Sequence, residues 1–113
     1  MDQAQLMKGV LEGCVLAVIA RGETYGYEIL GVLESAGFAD LGEGTLYPVL
    51  TRLDKAKLIV CRKAKSPLGP VRKYYSVTEE GTAQLADFRA RYNAMTQSVN
   101  RIITEGENGH DEL

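Results

Sequence analysis

The sequence predicts an α+β fold, mainly α, and three observations carry that prediction. An amphipathic helix over Thr45 to about Lys57 runs at once into two short strands joined by a turn-rich Lys65–Pro70. Positive charge gathers in the same region. Residues 43–75 hold Arg52, Lys55, Lys57, Arg62, Lys63, Lys65, Arg72 and Lys73 against only Glu43 and Asp54, in a chain whose net charge is −2. Finally, Leu85, Phe88, Tyr92, Met95, Val99 and Ile102 recur alternately three and four residues apart, an a/d seam of nearly three heptads. A helix followed by a basic hairpin is the layout of a winged helix-turn-helix with a two-stranded wing, here continued by a long C-terminal helix.

The 113 residues are the length of one domain, and 45% apolar content is enough for a real core. Leu6 to Ala20 reads as the first helix. Its apolar stripe, which includes Leu6, Val10, Cys14 and Val18, is wide enough to face both its own domain and a partner chain. Gly9 and Gly13 are costly inside a helix, so their spacing points to close backbone packing. After the break at Arg21–Glu23, Thr24 is the expected N-cap of a second helix through about Ala36. Tyr27 is expected in its core face, and Tyr25 is left open between core and surface. Gly37–Gly44 is a turn pinned by Phe38 and Leu41.

In the third helix Leu46, Val49, Leu50 and Leu53 form the buried stripe, leaving Thr51, Arg52 and Lys55 in water. Pro48 is expected in its first turn, where a missing amide hydrogen does least harm. The strands span about Ile59–Ala64 and Val71–Val77. Alternation sends Lys73 and Tyr75 to one face and Arg72 and Tyr74 to the other. The wing tip is expected to set Arg72 and Lys65 against DNA backbone or minor groove, with Lys73 reaching from the opposite side. Thr78 should cap the final helix, 79 to about 104, while Gly81 stands where a capping box would want an acid. At 1.5 Å per residue that helix is about 40 Å long, more than this small body can cover. A two-fold copy is the simplest cover for the surplus. The organisation is therefore 1–77 as the DNA-binding domain with its N-terminal helix, 78–104 as the dimerisation helix and 105–113 as a disordered tail.

No pattern supplies a catalytic or metal site. The lone histidine, His110, falls in the tail, Ser66 and Ser76 have no local base, and no phosphate-binding glycine pattern occurs. No enzyme activity, cofactor or metal is expected. Cys14 and Cys61 lack metal or redox spacing and read as reduced packing residues. The first apolar run is too short and too interrupted to cross a bilayer, and no secretory leader is evident, so the protein is expected in the cytoplasm with no membrane partner.

The run Gly44–Thr45–Leu46–Tyr47–Pro48 with Leu50, Arg52 and Leu53, then Leu58–Ile59, Gly69–Pro70, Arg72–Lys73–Tyr74–Tyr75, Thr78 and Gly81, resembles the PadR family of transcriptional regulators. The likeness extends to Tyr25–Gly26–Tyr27–Glu28–Ile29, and the single C-terminal helix resembles the family's compact branch. It implies a homodimeric repressor of a nearby promoter on a pseudo-palindromic double-stranded DNA operator. Thr45, Tyr47, Thr51 and Arg52 would lie at the DNA surface, with Arg72 and Lys73 serving the wing; the clustering of charge adds Lys55, Arg62, Lys63 and Lys65 to the expected DNA contacts. Leu6, Val10, Leu85, Phe88, Tyr92, Met95, Val99 and Ile102 would build the dimer. Small aromatic or hydrophobic effectors relieve repression in some members. Phe88, Tyr92 and Met95 would either line a pocket for one or simply fill it, and the chain lacks the tryptophan of the best-known drug-sensing members. Lys57 stands where a glycine is common, so a tighter or more polar turn is expected there. The alternative is a winged domain that docks another protein without specific DNA binding.

Overall fold

A computed structural model describes residues 3–108. The elements run α1 (Gln3–Met7), α2 (Leu11–Ala20), β1 (Thr24–Tyr25), α3 (Gly26–Ser35), α4 (Glu43–Lys55), β2 (Ile59–Lys65), β3 (Val71–Val77) and α5 (Glu79–Asn108). The three strands form one antiparallel sheet in the order β1-β3-β2. Val15, Ile19, Ile29, Leu46, Leu50 and Ile59 lie at the centre of the core, between α2, α3, α4 and the inner face of the sheet.

The single helix expected over Leu6–Ala20 is two. Gly9 adopts φ +88°, in the left-handed region that favours glycine, and the chain turns there. Gly13 alone is closely packed, because a Cβ there would enter the ring of Phe88 on α5, whereas Gly9 has nothing within 4 Å of an added Cβ, so the two do not act as the expected pair. Thr24 is not a helix cap. It pairs with Tyr75 as part of β1, and its hydroxyl donates to the Glu28 carboxylate at 2.6 Å. Tyr25 takes the N-cap position instead. Tyr27 is 77% exposed, not core. The third strand escaped the sequence reading because two residues carry no period.

α4 begins at Glu43, two residues earlier than expected, so Pro48 falls in the second turn. The backbone cost is limited because the Gly44 carbonyl, the usual acceptor for a donor at that position, belongs to an exposed residue. The helix ends in a Schellman arrangement: Leu58 N–H donates to the Leu53 carbonyl and Lys57 N–H to that of Asp54, both at 3.0 Å. Lys57 stands at the left-handed position with φ +62°. The turn is thus the ordinary glycine-favouring one, with a lysine in it.

Thr78 caps α5 as expected, its Oγ1 accepting from Gly81 N–H at 3.0 Å. Gly81 is glycine for want of room: a Cβ would collide with the Leu58 carbonyl oxygen and lie 2.8 Å from Val77 Cγ2. α5 continues through Asn108, so Glu105–Asn108 are helical rather than tail, while Gly109–Leu113, with His110, lie outside the described residues. Its 30 residues span about 45 Å. No helix among the described residues is long and apolar enough to cross a membrane.

Candidate nucleic-acid interface

α4 is held by Leu46, Val49, Leu50 and Leu53, all buried, so the rest of its circumference faces outward. Thr45, Tyr47, Thr51, Arg52 and Lys55 occupy that exposed surface. Thr51 Oγ1 donates back to the Tyr47 carbonyl at 3.0 Å, in the same helix. Arg52 is bound: its Nε donates to the Glu12 carboxylate of α2.

The register of β2 and β3 divides the wing's cations differently from expectation. Cys61 faces Tyr75, Lys63 faces Lys73 and Lys65 faces Val71, so Lys63, Lys65 and Lys73 share the face that carries the buried Tyr75 inward. Arg62 faces Tyr74 and Ala64 faces Arg72, which puts both arginines on the opposite, outer face. Lys65 therefore belongs with Lys73 and not with Arg72, because a one-residue offset across the hairpin reverses the face.

On the outer face the arginines are engaged. Arg62 Nε and Nη2 donate to Glu23 Oε2 and Oε1, each at 2.6 Å. This fork holds the Glu23 carboxyl below its ordinary pKa and raises that of the guanidinium. Arg62 also stacks 4.8 Å from the Tyr74 ring centre, Tyr74 meets Tyr25 edge-on at 5.9 Å, and Arg72 lies 4.0 Å over Tyr25. β1, the strand missing from the sequence reading, supplies that aromatic rung. Of the eight cations in residues 43–75, Arg52 and Arg62 are ion-paired. The lysines and Arg72 form no ion pair among the described residues. Glu12 and Glu23 lie outside the basic segment, so a local charge count could not show them.

A cleft of about 270 Å³ joins the two clusters. Tyr47 from α4, Tyr25 and Tyr27 from the start of α3, and Arg72 and Lys73 from β3 line it. Its hydroxyls, cations and uncapped helix-start amides suit a phosphate oxygen. Tyr27, expected in the core, borders this cleft instead. A larger groove, about 980 Å³, runs between the α1–α2 elbow and α4, lined by Met7, Leu11, Leu41, Pro48, Val49 and Arg52 among others. Neither Phe88, Tyr92 nor Met95 lines it.

The seam residues separate into two groups. Leu85, 8% exposed, belongs to the domain's own core, so its assignment to a dimer surface is corrected. Phe88 is half-buried against the same core and stacks on Tyr92 with ring centres 5.9 Å apart. Tyr92, Met95, Val99 and Ile102 are exposed, and so are Ile103 and Leu6, while Val10 is half-buried beside the helix break. Cys14 is half-buried, and burial raises its thiol pKa; no metal-ligating cluster occurs among the described residues.

The family model of the transcriptional regulator PadR-like family matches residues 15–87. A Streptococcus transcriptional regulator of known crystal structure is 44% identical, covering 87% of this chain and 96% of its own, with a TM-score of 0.77. A PadR-like transcriptional regulator from Bacillus cereus is 43% identical over 88% of this chain and 96% of its own, with a TM-score of 0.78. Bacillus subtilis PadR, solved in complex with operator DNA, is 26% identical over 71% of this chain and 45% of its own, with a TM-score of 0.64. With the family-model match running from α2 into the start of α5, the chain belongs to the PadR-like family, whose members are transcriptional regulators and not enzymes.

Proposed function

We propose that this chain is a homodimeric, sequence-specific repressor that binds a pseudo-palindromic double-stranded DNA operator. The observation that carries the reading is the meeting of α4 and the wing. The exposed surface of the helix and the lysine-bearing wing face are joined by the Tyr25–Tyr27–Tyr47–Arg72–Lys73 cleft, within a fold whose Bacillus subtilis relative was solved with operator DNA. Thr45, Tyr47 and Thr51 read base edges, and Arg52, Lys55, Lys63, Lys65, Arg72 and Lys73 hold phosphates. Arg62, forked to Glu23, braces the wing.

The exposed stripe Tyr92–Met95–Val99–Ile102 supports pairing through α5, to which the exposed Leu6 and the half-buried Val10 of the N-terminal segment add apolar surface. Two such domains meet half-sites about 34–36 Å apart. A small hydrophobic or aromatic effector, bound where Phe88 stacks on Tyr92 beside Met95, relieves repression by changing the angle between the domains.

Selection of the purified protein against a random duplex library at about 150 mM salt tests the reading. Enrichment of a two-fold symmetric motif, bound more tightly than its scrambled form, is the expected result. A folded protein that enriches no sequence overturns it. The double variant Tyr92→Glu, Val99→Glu should sediment as a monomer and lose the palindrome; a variant that stays dimeric puts the interface elsewhere.

A further inference from the structure

The wing ends in an apolar point set within a collar of cations. Leu68, at the apex, is 93% exposed, and Val71 beside it is 65% exposed. Single exposed leucines are ordinary on protein surfaces, but this one is presented by a stiffened loop. Pro67 and Pro70 flank it, Gly69 N–H donates to the Ser66 carbonyl at 3.1 Å, and Ser66 N–H donates to the Pro70 carbonyl at 3.0 Å. Gly69, with φ +129°, lets the chain turn back. Just behind the loop, Lys63, Lys65 and Lys73 lie on one face and Arg72 on the other.

We propose that Leu68 is an apolar wedge that enters the DNA minor groove and opens a base step beside each half-site. The proposal rests on the DNA-binding reading above and assigns a specificity role that the cations cannot fill. Lysines and Arg72 on the two faces suit phosphates, which line the groove's rims. A leucine offers a phosphate nothing. Once the collar is seated, its apex faces the groove floor and the base stack. B-DNA's minor groove is about 6 Å wide, while the two strands of a hairpin are already about 4.8 Å apart before side chains are added. The tip therefore fits only where the groove widens. Inserting an apolar side chain between bases widens it, most easily at pyrimidine–purine steps, which unstack readily. The prolines limit the conformational freedom lost when the tip is held.

The test uses full-length protein and a duplex recovered from the random-library selection, with the fluorescent base aminopurine placed in turn at each step flanking the half-sites. The wild type should raise fluorescence at one step per half-site and favour a pyrimidine–purine step there. Leu68→Ala should abolish that signal, flatten the step preference and weaken binding about ten-fold, while its salt slope stays that of the wild type because no phosphate contact is lost. Leu68→Lys should not restore the signal. Both variants should keep the wild-type unfolding midpoint, because the side chain touches no core. Wild-type affinity and step preference in Leu68→Ala, or full replacement by lysine, would overturn the wedge and leave the DNA-binding reading intact. A wild-type protein that recovers no duplex would defeat both, and the two failures are distinguishable.

Discussion

Gly81→Ala should destabilise this protein, although the same change in most helices stabilises. A mid-helix glycine costs about 1 kcal/mol relative to alanine, so propensity alone predicts a gain of that size or less in the first turn. Opposing it is a collision. The new Cβ would fall on the Leu58 carbonyl oxygen, 3.0 Å from its carbon and 2.8 Å from Val77 Cγ2. Overpacking of this kind costs about 1–3 kcal/mol. Leu58 is backbone and cannot rotate away, and its carbonyl accepts from Thr78 N–H at 3.0 Å, a bond worth about 1 kcal/mol that any retreat would strain. The balance is a loss of about 2 kcal/mol, or roughly 8 °C in midpoint for a domain of this size. Gly31→Ala is the internal control. It lies in α3 with nothing within 4 Å of its added methyl, and should gain about 0.5–1 kcal/mol. Thermal unfolding by circular dichroism at one fixed protein concentration should separate the two variants by about 10 °C. A Gly81→Ala midpoint at or above wild type would refute the reasoning and show that α5 can leave the wing along another line.

Glu12→Gln should free Arg52 without touching α4. Affinity for a random-sequence duplex should rise a few-fold and the slope of log affinity on log salt should steepen by about one contact; unchanged slope would mean that Arg52 does not approach phosphate. The ion pair is exposed, so stability should move by less than about 1 kcal/mol. Tyr75 supplies a pH dependence at the alkaline end. Burial, and then the neighbouring Cys61, push its phenol from an ordinary value of 10.0 up to about 12. The fold therefore favours the neutral phenol: the stability this contributes is present below pH 10 and is lost as pH rises through about 12. Absorbance titration of phenolate should show one late tyrosine rising together with loss of helical signal, and Tyr75→Phe should remove that late step.

The helices with strong periodicity were legible in the sequence. Leu46, Val49, Leu50 and Leu53 recur at helical spacing and all four are buried, and Thr78 caps α5 because its hydroxyl oxygen reaches Gly81 N–H. The misses came from residues whose role depends on distant partners. Thr24 has the chemistry of an N-cap, but pairing with Tyr75 draws it into a strand. Tyr27 lies at the edge of an apolar face, and only the placement of the wing shows that it borders a cleft. Arg52 and Arg62 counted as free cations until the fold brought Glu12 and Glu23 to them. The wing faces were a matter of register, and no property of the six turn residues Lys65–Pro70 fixed which lysine would stand beside which.

The seam on α5 has a consequence for the proposed dimer. One uninterrupted a/d repeat serves two purposes: Leu85 and Phe88 fasten the helix to its own domain, and Tyr92 to Ile102 stand free. Phe88 is the joint between them, its ring against Gly13 on one side and Tyr92 on the other. The helix has no glycine or proline between Leu85 and Ile102 to act as a hinge. A rotation of the free half therefore reaches the domain through Phe88 and α2 rather than being absorbed by a kink. In the proposed dimer, the spacing of the two α4 helices would then be set where Phe88 meets Gly13, and a side chain larger than glycine at that contact would change half-site spacing before it changed base preference.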